Sequence, residues 1–364
     1  MLPDFHILCA GTQMMSYAWL STQCLIEACP KNKKNDLCIF IHLVAHNKRE
    51  RLKAKKIFLD QPHVSIIEDI IYPDERIKPF DRWVADFRPE SIKKIGEKIR
   101  RRIQFLEPLT RVITGPQQRP HLGLYHHEWI SAVCRSKSDN QSIVIVDTDM
   151  FVMDPMFFED NMMHLQPKSY AAGWIWRTNN SLQIRDSVLY PLGTELFIIN
   201  PKLHLELDKQ KNNLDLTSYL SLKSEFPEIH IENESFIDTL FMPCWLAQLR
   251  GYNVDTRFSD LKVCHPGGVG HIRLDYIRKP PSEIQNLDNW KTLNVGRVRL
   301  HSRIINLIQN LGMGYTLAQE FLDRIFALEH FIKEDKELSG LWNSGRSLID
   351  GDENIVLVEK LFNQ

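Results

Sequence analysis

The chain has 364 residues, of which 43% are hydrophobic and 25% are charged, as in an ordinary globular protein. Its 45 Lys and Arg residues nearly balance its 46 Asp and Glu residues, which leaves a formal net charge of −1 at pH 7. This balance gives no basis for a nucleic-acid-binding surface or a polybasic membrane anchor.

The amino terminus and the cysteines bear on the compartment. The chain does not open on a basic segment followed by a long apolar run, so we expect no signal peptide. No uncharged apolar run approaches the roughly 18 residues that a membrane span requires. The seven cysteines include no CxxC pair, which favours reduced thiols over a disulfide framework or a zinc site. The sequence therefore predicts a cytoplasmic protein without a membrane span.

The first part of the chain is predicted to alternate between strands and helices. Short apolar runs predict strands, and an apolar face repeating every three to four residues predicts helices. Strand, helix, strand, helix and strand in succession are typical of a parallel sheet with helices on its faces. The predicted elements are a strand at Phe5–Thr12, a helix at Ser16–Ala28, a strand at Leu37–Val44, a helix at Arg49–Leu59 and a strand at Val64–Ile67.

The middle of the chain is interrupted by prolines and then returns to strands. Residues 74–120 are interpreted as an insertion over one edge of the sheet. Beyond them, apolar and β-branched runs predict further strands. After Pro280 and Pro281 the spacing becomes helical, so we predict a catalytic domain over residues 1–280 and a mainly helical subdomain over 281–364. The predicted elements are a helix at Gly123–Cys134, strands at Ser142–Val146, Ser169–Ile175 and Thr194–Ile199, and helices at Ser235–Leu249, Ser302–Leu311 and Leu317–Ile332.

The strongest functional signal is the pair Asp147 and Asp149, which directly follows the apolar strand predicted at Ser142–Val146. Ligands of open α/β sheets bind beyond the carboxyl ends of the strands. A turn there would aim both carboxylates at one Mg²⁺ or Mn²⁺ ion, which also binds phosphate oxygens. Such an ion neutralises a departing diphosphate. The alternative is that the two acids merely cap the turn, although they would then repel each other without a cation.

The stretch Val144–Pro155, which contains this pair, resembles the DxD segment of GT-A glycosyltransferases. The closest pattern is that of the glycogenin and lipopolysaccharide galactosyltransferase-like group. Three further stretches agree with this family in order and rough spacing, and the resemblance covers about residues 1–275. It implies an α/β fold of GT-A type, which is a Rossmann-like mixed sheet of nucleotide-diphospho-sugar transferases, here with a helical C-terminal extension.

The first of these stretches, Phe5–Thr12, resembles the opening strand whose end contacts the nucleotide base in that family. The resemblance implies that Gly11 and Thr12 lie beside the base. It also implies that Asp147 lies toward the ribose and the metal ion, while Asp149 binds the ion directly.

The second stretch, Cys264–His271, resembles the HxxGxxK segment of the same family. The resemblance implies that His265 is the third metal ligand, and a neutral imidazole is a reasonable ligand for Mn²⁺. Glycines such as Gly268 would let the backbone approach phosphate oxygens. His271 stands where the family has a Lys that binds the diphosphate, so this chain departs from the pattern there.

The third stretch, Pro191–Pro201, resembles the strand that lines the sugar and acceptor pocket, which implies that Glu195 faces the sugar. Glu234 and Asp238 are further candidates, because inversion at the anomeric centre needs a carboxylate as general base on the acceptor hydroxyl. Retaining relatives have Asp-Gln-Asp where this chain has Glu-Asn-Glu at residues 232–234. The sequence therefore leaves retention and inversion open.

Together these features predict a metal-dependent glycosyltransferase that takes a sugar from a nucleotide-diphosphate donor. We expect a UDP-sugar as the donor and Mn²⁺ or Mg²⁺ as the cofactor, and the sequence does not identify the acceptor. No nucleic-acid partner is expected.

Three alternatives compete with this prediction. A haloacid-dehalogenase-type phosphatase also has a DxD after an apolar strand, but typically near the amino terminus and with Thr or Val where this chain has Phe151. A sugar nucleotidyltransferase would need a basic glycine-rich loop after the first strand, and residues 9–15 contain no basic residue. A transferase that has lost its chemistry and only binds ligands is the third.

Overall fold

The computed structural model of the chain describes residues 2–10, 14–44, 48–67, 129–136, 141–175, 182–184, 187–208, 224, 226–231, 240–258, 260–267, 287–317, 319–344 and 352–362. The insertion predicted at 74–120 and the domain boundary predicted near residue 280 lie outside these residues.

The described strands, in chain order, are β1 (Asp4–Ala10), β2 (Ile39–Val44), β3 (Val64–Ile67), β4 (Ile143–Val146), β5 (Phe151–Val152), β6 (Ser169–Ile175), β7 (Leu182–Ile184), β8 (Ser187–Leu189), β9 (Leu192–Ile199), β10 (Ile229–Ile231), β11 (Asn253–Thr256) and β12 (Val263–Cys264). The helices are α1 (Met14–Ala28), α2 (Lys48–Phe58), α3 (Asp160–Met163), α4 (Pro201–Asp208), α5 (Phe241–Leu249), α6 (Leu287–Asn310), α7 (Gln319–Glu334), α8 (Lys336–Ser344) and α9 (Asp352–Phe362). Residues 129–136 are also helical.

Seven of the strands form one mixed sheet, in the order β11-β6-β9-β4-β1-β2-β3. β9 runs antiparallel to its neighbours β4 and β6, whereas the other pairs are parallel. β1 lies between β2 and β4, so the chain leaves β1 toward one side and later returns on the other. This reversal is the place where open α/β sheets bind ligands. The predicted fold class, a Rossmann-like mixed α/β sheet followed by a helical extension, is confirmed.

The central strand β4 shows why the sheet is covered on both faces. All four of its residues are buried, and successive side chains of a strand point to opposite faces. Val144 and Val146 pack in a cluster with α1 and α2, while Ile143 and Ile145 pack against the helical residues 129–136. A continuous apolar strand, without polar alternation, is what a doubly covered sheet requires.

The C-terminal helices do not pack only among themselves. Side chains of α6, α7, α8 and α9 share one buried cluster with Tyr17 and Leu20 of α1, with Phe151 of β5 and with Cys264 of β12. The side-chain amide of Asn354 on α9 also donates a hydrogen bond to the carbonyl of Val263, at 2.8 Å. The helical extension is therefore packed directly behind the two short strands β5 and β12. No described helix combines the length and the apolar character that crossing a bilayer requires.

Candidate metal centre

The first half of the site is the turn at residues 147–150, here named the aspartate turn. The backbone N–H of Asp147 donates to the carbonyl of Glu195 at 2.7 Å, which extends the ladder between β4 and β9 by one residue. The chain then reverses, because the N–H of Met150 donates back to the carbonyl of Asp147 at 3.1 Å. The N–H of Thr148 donates to Oδ1 of Asp147 at 2.8 Å. This turn, which the sequence predicts, places Asp147 and Asp149 together at the carboxyl end of β4.

The second half of the site is the loop at residues 265–267, here named the histidine loop. It follows β12, which pairs antiparallel with β5 so that Cys264 lies opposite Phe151. Asp154 closes the far end of this pair, since its Oδ2 accepts a hydrogen bond from the N–H of Lys262 at 3.1 Å. The short ladder therefore fixes the register in which His265 meets the aspartate turn.

Ligand atoms of Asp147, Asp149 and His265 all lie within 4.8 Å of one another. Nε2 of His265 is 3.3 Å from Oδ1 of Asp149. Two neighbouring ligands of an octahedral ion at about 2.1 Å would be about 3 Å apart, so this spacing suits a shared cation. Asp149 is only 2% exposed, and its Oδ2 has no hydrogen-bond partner among the described residues. Buried polar atoms are normally satisfied, so this oxygen calls for a ligand.

The charges in the site are strongly coupled. Burial, and then the negative charge of Asp149, raise the pKa of Asp147 to about 7. Burial alone would raise the pKa of Asp149, but the nearby positive charge of His265 lowers it below the usual value. Burial would likewise lower the pKa of His265, yet the charge of Asp149 outweighs it and raises that pKa to about 9. Without a cation, protons on Asp147 and His265 offset the negative charge of the carboxylates. A bound cation would neutralise the same charge.

Glu195, predicted to face the sugar, lies on β9 and is 8% exposed. Its negative charge contributes to raising the pKa of Asp147 and of His265. Its carboxylate does not belong to the group of described residues whose ligand atoms cluster within 4.8 Å. The remaining predicted site residues, Gly11, Thr12, Glu234, Asp238, Gly268 and His271, lie outside the described residues.

Contacts from α1 and α6 support both halves of the site, and they are not predicted from the sequence. The hydroxyl of Ser21 on α1 donates to the carbonyl of Met150 at 2.8 Å. On α6, His301 lies 2.9 Å from the hydroxyl of Tyr17 and 3.5 Å from the carbonyl oxygen of Gly267. The only local signal is a histidine within an apolar helical stripe, and such a residue is more often structural than functional.

The last described residue of the histidine loop is a glycine that a side chain would disturb. Gly267 has a φ of +74°, and a Cβ there would lie 3.0 Å from Nε of Arg297. Gly251 has a φ of +79°, and a Cβ added there would meet no atom of the described residues within 4 Å, which makes it a matched control.

We expect Gly251→Ala to lower the free energy of unfolding by about 1 kcal/mol, from backbone conformation alone. Gly267→Ala should lower it by about 2 kcal/mol, because the Arg297 side chain must also move. Urea unfolding of the two variants measures the difference. Equal losses of unfolding free energy in the two variants would show that the contact with Arg297 does not affect stability.

No protein-family model and no curated protein sequence matches the chain. It is similar to solved structures of glycosyltransferases at low identity. The galactosyltransferase LgtC, in complex with donor and acceptor sugar analogues, is 11% identical, with 70% of this chain and 72% of that chain covered and a TM-score of 0.36. Mouse xyloside xylosyltransferase 1 is 9% identical, with 70% and 84% covered and a TM-score of 0.39.

The mannosyltransferase PcManGT from Pyrobaculum calidifontis, in complex with GDP-Man and Mn²⁺, is 9% identical, with 100% of this chain and 87% of that chain covered and a TM-score of 0.35. All three TM-scores lie below 0.5, so this likeness assigns no function to the chain.

Proposed function

We propose that this chain is a metal-dependent glycosyltransferase of the GT-A type. The observation that carries the proposal is the buried carboxylate of Asp149. It faces His265 and Asp147, and its Oδ2 has no hydrogen-bond partner within the described part of the chain. It lies at the carboxyl end of the strand beside the sheet's reversal point. This position and this ligand set together suit a cation that holds a bound diphosphate.

The residues present fit a divalent cation. Asp147 and Asp149 offer oxygen ligands and His265 offers a nitrogen, a mixture that favours Mn²⁺ over Mg²⁺ because Mg²⁺ prefers oxygen ligands and waters. When bound, the cation supplies Lewis-acid stabilisation of the charge that develops on a leaving nucleoside diphosphate. The protein residues hold the ligand atoms in register, through the aspartate turn and the ladder between β5 and β12.

The charge of the site supports a requirement for the cation. Asp147, Asp149 and Glu195 are acidic, while His265 is a basic group that faces them. A diphosphate would be repelled by these carboxylates, because like charges at close range in a buried site interact strongly. Donor binding is therefore expected to depend on a divalent cation rather than merely to be enhanced by it.

The remaining assignments follow from the resemblance to the family. We propose a UDP-sugar as donor, with Gly11 and Thr12 beside the base, and Gly268 and His271 beside the diphosphate. Glu195 would face the sugar, and Glu234 or Asp238 would lie toward the acceptor. A catalytic unit over residues 1–280, a helical unit over 281–364 and a cytoplasmic location complete the proposal.

A panel of nucleotides tests this proposal. UDP, GDP, CMP and dTDP are each added with and without Mn²⁺, and the unfolding midpoint is measured by thermal shift. A ligand that binds only the folded state stabilises it by about 2.7 kcal/mol at 100 times its dissociation constant. We expect a rise with UDP that requires Mn²⁺.

The other outcomes of the panel are equally informative. A rise with GDP alone would retain the metal-dependent transferase and correct the donor. No rise with any nucleotide in the presence of Mn²⁺ would contradict the proposal and favour a phosphatase or a site without chemistry.

A further inference from the structure

A buried histidine outside the ligand set links the histidine loop to helix α1, which also contacts the aspartate turn. His301 lies on α6 and is 0% exposed. Its Nδ1 is 2.9 Å from the hydroxyl of Tyr17 on α1. Its Nε2 is 3.5 Å from the carbonyl oxygen of Gly267, the last described residue of the histidine loop. One side chain thus touches the first helix and the loop that carries His265.

The direction of these hydrogen bonds follows from the donors and acceptors present. The carbonyl oxygen of Gly267 can only accept, so Nε2 of His301 carries the proton of the neutral imidazole. Nδ1 is then a lone-pair acceptor, and the hydroxyl of Tyr17 donates to it. The three groups form a directed chain from α1 through α6 to the histidine loop.

The same face of α1 holds the other half of the site. Ser21, one helical turn after Tyr17, donates its hydroxyl to the carbonyl of Met150 in the aspartate turn at 2.8 Å. Residues four apart on a helix lie on one face. α1 therefore contacts the aspartate turn through Ser21 and the histidine loop through Tyr17 and His301.

Packing adds to the hydrogen bonds. The guanidinium of Arg297, one turn before His301 on α6, lies against Gly267, so that an added Cβ would be only 3.0 Å from Nε of Arg297. The histidine loop thus packs on two consecutive turns of α6. Arg297 lies against the Cα of Gly267, and His301 lies against the carbonyl of the same residue.

We propose that His301 is a positioning residue of the metal centre. Together with Tyr17 it holds the histidine loop at the distance from the aspartate turn at which His265 and Asp149 share one cation. The inference rests on the proposed function, because it assigns α6 of the C-terminal helices to the same metal site. Residues that orient metal ligands from outside the ligand set typically change metal affinity by about 10–100-fold when they are replaced.

The test measures the dissociation constant of Mn²⁺ for the full chain, from the electron paramagnetic resonance signal of free Mn²⁺. His301→Phe keeps an aromatic ring at this position and removes both hydrogen bonds, so we expect Mn²⁺ to bind about tenfold more weakly. His301→Gln restores a donor toward Gly267 and should bind Mn²⁺ within about threefold of the wild type. Tyr17→Phe removes only one hydroxyl, and it should weaken binding several-fold even if His301→Phe does not fold.

His204 provides a matched control. It is also buried and has two hydrogen-bonding neighbours, Tyr170 and Ser131, each at 3.0 Å, but these belong to the other face of the sheet. His204→Phe should lower the unfolding midpoint and leave the affinity for Mn²⁺ unchanged. Unchanged Mn²⁺ binding in both His301→Phe and Tyr17→Phe, or equal weakening in His204→Phe, would overturn the inference.

A metal-independent measurement separates this inference from the proposed function. Amide hydrogen exchange over residues 262–267 should be about tenfold faster in His301→Phe than in the wild type, and unchanged in His204→Phe. If the wild type binds no Mn²⁺, the proposed function fails, while faster exchange still supports the positioning role. Unchanged exchange in His301→Phe contradicts that role whatever the metal result.

Discussion

Asp149→Asn is expected to lower the Mn²⁺-dependent turnover of the nucleotide-sugar donor by about 10³-fold, which corresponds to about 4 kcal/mol of transition-state stabilisation. The substitution keeps the volume of the side chain and removes the charge that is proposed to bind the cation. Core packing is untouched, so the variant should remain folded. Initial rates of donor hydrolysis across a range of Mn²⁺ concentrations measure the effect.

The electrostatics of the site explain why the folded state should tolerate this change. Without the charge of Asp149, the pKa of Asp147 falls toward its usual value and the pKa of His265 also falls, because Asp149 contributes to raising both. Asp160→Asn is the control, since that carboxylate is 79% exposed and pairs with Lys33. Full activity in Asp149→Asn would show that Asp149 is not a ligand of the cation.

His301 is expected to make the protein less stable as the pH falls from about 6.5 to about 4. Burial lowers its pKa to about 4 in the folded state, whereas an unfolded chain has a histidine pKa of about 6.5. Between these values the unfolded chain binds more protons, so the free energy of unfolding falls with the pH by up to about 3 kcal/mol. Above pH 6.5 both states are neutral at this residue and the contribution is complete.

The comparison that isolates this contribution is between the wild type and His301→Gln, which cannot titrate. Asp149, His265, Arg297 and Tyr17 face the imidazole, and they remain in both proteins. Urea unfolding at pH 4.5 and at pH 6.5 should show a steeper loss in the wild type. The same loss in both proteins would mean that His301 is protonated in the folded state.

The sequence predicts the part of the fold whose signals are local. Strand β4 is a continuous β-branched run, and a parallel sheet with helices on both faces is the arrangement that buries such a strand on both sides. Strand β3 at Val64–Ile67 and strand β6 at Ser169–Ile175 have the predicted bounds. The small antiparallel sheet of β7, β8 and β10 is not predicted, because strands of three residues are too short to show a period.

Two helices illustrate how local chemistry and tertiary packing differ as signals. Helix α4 begins at Pro201, and the side chain of Asn200 accepts a hydrogen bond from the N–H of Leu203 at 3.2 Å. This cap and a proline in the first turn are readable from sequence, yet the prediction omits the helix. Helix α6 begins at Leu287, well before the predicted start at Ser302.

The candidate site is predictable to the extent that its proposed ligands lie in short motifs. Asp147 and Asp149 are identified by the strand before them, and His265 by resemblance to a family, since the chain has fourteen histidines. His301 has no such motif. Its partner Tyr17 is 284 positions away in the sequence, and no local pattern predicts a contact between residues so far apart.

The order in which this site can assemble follows from the contact between α1 and α6. Closing a long loop costs entropy before its contacts repay it, so pairings far apart in sequence tend to form late in folding. Tyr17 and His301 are 284 positions apart, which is further than the residues that pair in β1 and β4 or in β5 and β12. A chain in which α6 has not yet docked on α1 can therefore already hold the strands that lead to Asp147, Asp149 and His265. Binding of the proposed cation would then come near the end of folding, and it would stabilise the last contacts to form.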